Sequence, residues 1–325
     1  MSTNSSSNGN VRFPIENSRE WLVGPMVAVA TPFGEDYSLD LDALRDNVRF
    51  MIDRGVKTGD GVLLVGGAGG EHPAMNVDER KAVMDVAMEA ANGEVPVATS
   101  IQHTDTRVTV EFAQHASAAG LQGVQLGPTY YYVPTEGDVS RLFELVAAES
   151  SVMLMIYHTH WEGLNMSMGL LRDLADMPTV GALKWSAPTL DYFEEGLREF
   201  SGKLAVIDNE GRHVLSHQLG ARGFITHLSG FWPKYPRDIW RCLEAHDYDG
   251  AERLLENFKY PWSEWREKVA SVTGGEGPFI KAAMEEVGLK VGPPRPPSSR
   301  APESFLPELR ALLSRAGTPM AASAV

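Results

Sequence analysis

The chain of 325 residues has one cysteine, Cys242, so no disulfide can close within it, and the paired-cysteine motifs of zinc and redox sites are missing. A reducing compartment, the cytoplasm, is the simple expectation. Long hydrophobic runs are also missing: no uninterrupted apolar stretch approaches the roughly 18 residues of a membrane span, so no membrane association is expected. The Ser/Asn-rich start, Met1 to Asn10, has neither the basic opening nor the apolar core of a secretory signal. Positive charge is scarce. With 29 Lys and Arg against 43 Asp and Glu the formal net charge is -14, and no basic stripe offsets it, which argues against nucleic acid as a partner. No GxGxxG loop follows a strand candidate, which argues against a dinucleotide-binding open sheet.

What is present is a composition of 43% hydrophobic and 22% charged residues, enough for a large core. From about Trp21 onward, short β-type runs alternate with longer helical patterns in eight pairs. The strand candidates are Met26-Ala30, Gly61-Val65, Val95-Ser100, Gly123-Leu126, Val152-Tyr157, Val180-Trp185, Leu204-Asp208 and Gly223-His227. Most are continuously apolar, as parallel strands covered on both faces must be. Between them lie amphipathic stretches, such as Leu41, Leu44, Val48, Met51 and Ile52 at helical spacing, and a capping-box pattern at Asn76 and Glu79. Eight β-then-α units at this length predict an α/β fold, a (β/α)8 TIM barrel. After the eighth strand the pattern is helical only, over Pro236-His246, Asp249-Val272 with a break expected at Pro261, and Pro278-Val287. An extended connector from Gly292 to Ser299 precedes a last helix, Leu306-Leu313. The expected organisation is a flexible N-terminal segment (1-20), the barrel (21-235), a C-terminal helical appendage (236-315) and a frayed tail (316-325).

Lys184 stands out because it lies in the apolar strand Val180-Trp185, and lysines are rarely buried without a reason. A buried lysine loses solvation of its ammonium form, which makes a neutral, nucleophilic amine available for a Schiff base with a carbonyl substrate. The segment alone also fits a snorkelling or salt-bridged lysine at a strand end. Barrel chemistry sits at the C-terminal strand ends. Those ends carry Thr31-Pro32-Phe33, the Gly66-Glu71 loop, Thr129 to Tyr132, Tyr157-His158, Lys184-Trp185, Asp208-Asn209-Glu210 and Thr226-His227. An amine nucleophile, phenols that can move protons and exposed backbone N-H groups that can hold a carboxylate suit carbonyl chemistry.

Taken in order, these segments resemble the dihydrodipicolinate synthase and N-acetylneuraminate lyase family of Schiff-base (class I) aldolases. The resemblance spans about Val23 to Pro297. It runs through Ala30-Thr31-Pro32-Phe33, the Gly67 to Glu71 loop, Tyr131 with Pro134-Thr135, Ile156-Tyr157, Val180-Lys184, Gly220-Ile225, Lys281-Ala282-Ala283 and Gly288-Leu289. It implies a homo-oligomer, tetramer or dimer, and a 2-oxo acid such as pyruvate bound as an imine on Lys184. Tyr157 would shuttle protons, and Tyr131 looks like a second tyrosine that some members supply from a neighbouring subunit. The loop Gly67, Ala68, Gly69 and Gly70 would hold the substrate carboxylate, beside Ile225. No metal, nucleotide or other cofactor is required. Each reading has a structural counterpart: Tyr157 also fits a core tyrosine, the register of Tyr130 to Tyr132 is open, and the glycine loop also fits a tight turn.

The departures matter as much. Ala68 and Gly69 stand where the family places two hydroxyl residues, and the segment after Tyr157, His158-Thr159-His160-Trp161-Glu162-Gly163, lacks the arginine that binds a second acid in the synthases. A dihydrodipicolinate synthase activity is therefore disfavoured. Tyr132, His158, His160, Trp161, Trp185, His227 and Trp232 replace charge with flat and titratable groups, which suggests an aromatic aldehyde partner, as in hydratase-aldolases, or else aromatics packing the barrel rim. A metal on His158-x-His160 has no apparent third ligand. Glu71 and Glu210 could be acid or base groups or structural. The competing readings are a 2-keto-3-deoxy sugar acid dehydratase or aldolase, and a binding protein that kept the barrel without turnover.

Overall fold

The computed structural model describes residues 13-128, 131-161 and 163-321. Thr129, Tyr130 and Glu162, residues 1-12 of the N-terminal segment and residues 322-325 of the tail lie outside the described residues. Eight parallel strands close into a barrel in chain order: β1 (Gly24–Ala28), β2 (Val62–Val65), β3 (Val97–Ser100), β4 (Gly123–Leu126), β5 (Met153–His158), β6 (Val180–Trp185), β7 (Ala205–Asp208) and β8 (Gly223–Thr226). This is the architecture expected from the eight alternating units. β5 and β6 pair in the register Tyr157 to Lys184 and His158 to Trp185, and a register shift leaves Gly181 unopposed.

Alternation along each strand divides two cores. Met26, Leu64, Ala98, Met155, Ala182 and Ile207 fill the barrel interior, and Leu154, Ile156, Leu183 and Val206 face the helix layer. The lower end of the barrel is closed by the N-terminal segment. Ile15–Asn17 and Ser18–Trp21 form two short helical turns, Trp21 and Leu22 join the interior cluster, and Ser18 Oγ donates to Gly181 O at 2.6 Å. Side-chain caps at Asp40, Asn76, Asp105, Thr135, Ser167 and Thr189 start the helices after β1 to β6, so each strand end turns sharply into its helix. Asn76 with Glu79 makes the expected capping box.

The helices after β8 pack on the barrel through a second apolar cluster that joins Val23, Ala30 and Phe224 to Trp262, Trp265, Phe279 and Leu309. Pro261 does not break its helix. Tyr248–Leu254 passes through a π-helical turn at Leu255–Lys259 into Tyr260–Thr273, and the wider turn gives room to a ring that has no N-H to offer. Gly277–Glu286 and Leu306–Ala316 complete the appendage, and the connector between them contains a cis bond at Pro296-Pro297. The appendage is pinned to the barrel mouth by buried charge. Lys281 Nζ lies 2.7 Å from Glu71 Oε1 and donates to Pro293 O at 2.9 Å, while Arg295 holds Glu79 through two nitrogens. Among the described residues no helix is long and apolar enough to cross a membrane.

Candidate active site

The upper end of the barrel opens into a cavity of about 1090 Å³. Lys184 and Tyr157 both line it because they hold inward positions on adjacent strands, in phase with Ala182 and Met155 below them. Lys184 is 6% exposed, and its Nζ sits 4.4 Å from the centroid of the Tyr157 ring. An amine and a phenol are thus side by side in a space closed below and open above.

The loop after β2 forms one wall. Its tight turn uses the N-H groups of Gly70, Glu71 and His72 on the carbonyls of Gly67 and Ala68, and Thr31 Oγ1 donates to Gly70 O at 2.6 Å. Ala68 and Gly69 are the loop residues of the expected four that line the cavity. Gly67 and Gly70 shape the turn instead; a Cβ on Gly70 would stand 2.9 Å from Val29 O. Ile225, His227 and Trp161 also line the cavity, Trp161 at the rim with 56% of its surface exposed.

Other expected site residues are placed elsewhere. His158 and Trp185 occupy outward positions one residue beyond Tyr157 and Lys184, so the pleat turns them into the helix layer. His158 is fully buried. Its Nδ1 is 2.6 Å from Ser186 O, its Nε2 accepts from the N-H of Met166, and burial pushes the imidazole below its ordinary range. Both ring nitrogens are taken, so a metal shared with His160 has no ligand here. Trp185 donates from Nε1 to Phe193 O and packs on His158, Tyr192 and Phe193. Trp232 stacks on Tyr235 beside the apolar cluster that joins the barrel to the appendage. His160 lies beside the cavity, against Trp161 and 3.9 Å from Glu210. Tyr131 and Tyr132 are 85% and 79% exposed, outside the cavity of the single chain, with Tyr131 in a left-handed backbone conformation at φ 87°.

Gln102, Gln125, Arg266, Glu276 and Phe279 line the cavity without being singled out by the sequence, whereas Thr159, Asn209 and Glu210 lie in segments it does mark. Gln102, Gln125, Thr159 and Asn209 add polar groups from strand ends, and Gln125 Oε1 is buried without a hydrogen-bond partner among the described residues. Burial pushes the Glu210 carboxyl above the usual carboxylate range, against the N-H of Ala187, which it accepts. Arg266, Glu276 and Phe279 come from the appendage and roof the cavity. An arginine therefore faces the site, from a different element than the synthases' pattern would suggest. No spacing motif in the sequence marks these residues; only the docking of the appendage brings them to the mouth.

Comparison with known proteins agrees with this geometry. The chain is 27% identical to a 4-hydroxy-tetrahydrodipicolinate synthase of Exiguobacterium sibiricum over 284 residues, 86% of this chain and 93% of that protein. It is 27% identical to an uncharacterised DapA-like lyase of Halobacterium salinarum, over 85% of this chain and 88% of the relative. In fold it is similar to the dihydrodipicolinate synthase of Oceanobacillus iheyensis (TM-score 0.84, 21% identity, 94% of this chain and 99% of that one). It is similar also to a catalytic-lysine mutant of the sialic acid aldolase of Ruminococcus gnavus (TM-score 0.81, 18% identity, 92% and 97%). The profile of the dihydrodipicolinate synthetase family matches residues 22–316, and the chain accordingly belongs to that family and is an enzyme of the class I aldolase and lyase type.

Proposed function

We propose that Lys184 forms an imine with a 2-oxo acid of the pyruvate type and that the enzyme then makes or breaks a carbon-carbon bond next to it, or removes water. The observation that carries this reading is the inward pair Lys184 and Tyr157, in register and 4.4 Å apart from Nζ to ring centroid. The amine attacks the keto carbon, and the protonated imine that follows draws electrons from the adjacent carbon. Tyr157 moves the proton, and the N-H groups of Ala68 and Gly69 hold the carboxylate. Tyr131 acts from a neighbouring subunit of a homo-oligomer, a reading supported by the exposed run Tyr131, Tyr132 and Val133.

The carbonyl partner is an aromatic aldehyde, released or captured against Trp161 and Phe279. His158, Trp185 and Trp232 no longer support that choice, because none of them lines the cavity. A second reading, a hydroxylated sugar-acid chain, is favoured by Gln102, Asn209 and the unpartnered Gln125 Oε1. Borohydride reduction in the presence of pyruvate should leave a mass adduct on Lys184 and none in Lys184→Ala. Absence of an adduct with several 2-oxo acids sinks the imine reading. A panel of arylidene pyruvates and 2-keto-3-deoxy sugar acids separates the two partners.

A further inference from the structure

The loss of the loop hydroxyls is matched by a gain across the cavity. An ideal Cβ on Gly69 would stand 3.2 Å from Glu276 Oε2, as well as 3.1 Å from Ala28 Cβ and Ile280 Cδ1. The residue that replaces a hydroxyl side chain thus leaves the space into which a carboxylate of the appendage reaches. Glu276 is the N-cap residue of the helix Gly277–Glu286, yet its side chain makes no cap hydrogen bond. Its Oε2 instead meets His227 Nε2 at 3.2 Å. His227, just past the end of β8, is held edge-to-face by Phe279 at 5.4 Å, and its Nδ1 has no hydrogen-bond partner among the described residues. Both residues line the cavity with Lys184 and Tyr157. Burial alone would raise the Glu276 carboxyl, but the charges of His227, Lys184 and Arg266 and the His227 hydrogen bond outweigh it and hold the group at about 2. A carboxylate so firmly ionised is a poor proton carrier and a good orienting partner for an imidazole.

We infer that His227, oriented by Glu276, is the proton-transfer group for the second half of the substrate, in place of the missing loop hydroxyls. The inference rests on the imine reading above. With a 4-hydroxy-2-oxo acid bound as the iminium on Lys184, His227 Nδ1 takes the proton of the C4 hydroxyl. The oxygen pair forms the aldehyde C=O, the C3-C4 bond breaks, and its electrons move onto C3 and neutralise the iminium as an enamine. The imidazolium is stabilised by Glu276. The enamine then takes a proton at C3, and water hydrolyses the imine to pyruvate and the free Lys184 amine. Condensation is the reverse, with imidazolium giving its proton to the aldehyde oxygen. His227 is a catalytic residue in this scheme and Glu276 a positioning residue.

The test uses the full-length enzyme with pyruvate and two aldehydes, benzaldehyde and glyceraldehyde. His227→Asn should still trap pyruvate on Lys184 with borohydride and still exchange the pyruvate methyl protons in deuterium oxide. Its condensation kcat with the accepted aldehyde should fall by about a hundredfold or more, the size of a lost acid-base group. Glu276→Gln should lose less, with the KM for pyruvate unchanged. The loss should fall on kcat for condensation, as expected of a residue that orients the imidazole. Condensation by His227→Asn within threefold of wild type would overturn the inference, as would a Glu276→Gln variant that condenses at the wild-type rate. Loss of pyruvate trapping in His227→Asn would also overturn it by placing the residue in imine formation. A wild type that traps pyruvate but condenses it with neither aldehyde leaves no carbonyl oxygen for the relay and overturns it while the imine reading stands. A wild type that traps no 2-oxo acid overturns both.

Discussion

Lys281→Met isolates the charge pair that pins the appendage to the barrel mouth. The Lys281 and Glu71 side chains are 2% and 9% exposed and meet at 2.7 Å, and Lys281 also donates to Pro293 O and faces the Phe33 ring. Methionine nearly conserves the volume, so little cavity term is expected. What remains is a buried Glu71 carboxylate whose other partner is the N-H of Arg295, at 3.0 Å. Breaking one side of such a pair costs about 3–5 kcal/mol. The lost bond to Pro293 O adds about 1 kcal/mol. Removing both charges should cost less. The double variant Lys281→Met/Glu71→Gln keeps an acceptor for Arg295 and should recover about 2 kcal/mol relative to Lys281→Met alone. Denaturant unfolding followed by tryptophan fluorescence measures Lys281→Met, Glu71→Gln and the double variant against wild type. A single-variant loss below about 1 kcal/mol, or a double variant as unstable as the sum of the singles, refutes a buried pair held together by mutual compensation.

Other predictions concern the walls and the pH response. A Cβ at Gly196 would stand 2.4 Å from the Trp185 ring, so Gly196→Ala should lower stability by about 1–3 kcal/mol despite better helix propensity, with turnover per folded molecule retained. Trp185→Phe should likewise act on stability and leave the KM of the aldehyde half unchanged, whereas Trp161→Ala should raise that KM; steady-state kinetics on both variants checks the assignment of inside and outside. Burial, aided by the Arg80 charge, pushes the His72 imidazole from 6.5 down to about 3. Between those values the unfolded chain binds a proton that the native chain does not. This contribution is therefore complete above about pH 6.5 and is lost as pH falls toward 3, by up to ~1.4 kcal/mol per pH unit. His72→Gln should flatten that slope in denaturation curves.

The barrel was legible because its strands are continuously apolar and its helices carry strong caps. The same continuity hid which residues face inward. In Val180-Gly181-Ala182-Leu183-Lys184-Trp185 every position is buried, so composition does not distinguish the inward Lys184 from the outward Trp185. Strict alternation from Tyr157 would have turned His158 away, since neighbours on a strand take opposite faces. His160 is closer to the cavity because the chain has left β5 by then. Arg266, Glu276 and Phe279 were out of reach for another reason: their approach depends on how two helices dock, through contacts between residues more than a hundred positions apart such as Glu71 and Lys281. Pro261 misled because a π-helical turn absorbs it, and no residue pattern announces such a turn. The missing loop hydroxyl was visible as an absence; what fills its place was not.

The closed floor of the barrel has a kinetic consequence. Among the described residues, Trp21 and Leu22 pack below Met26 and Met155 at the end of the barrel opposite the cavity mouth, so the depth at which Lys184 stands is a dead end. Molecules in a dead end queue. On the proposed imine reading, the 2-oxo acid that bonds to Lys184 arrives first and leaves last, and a carbonyl partner held nearer the roof arrives second and leaves first. An excess of that partner should then block the entrance of the empty enzyme, with inhibition relieved by more 2-oxo acid. The order of addition is set by a tryptophan at the opposite end of the molecule from the chemistry.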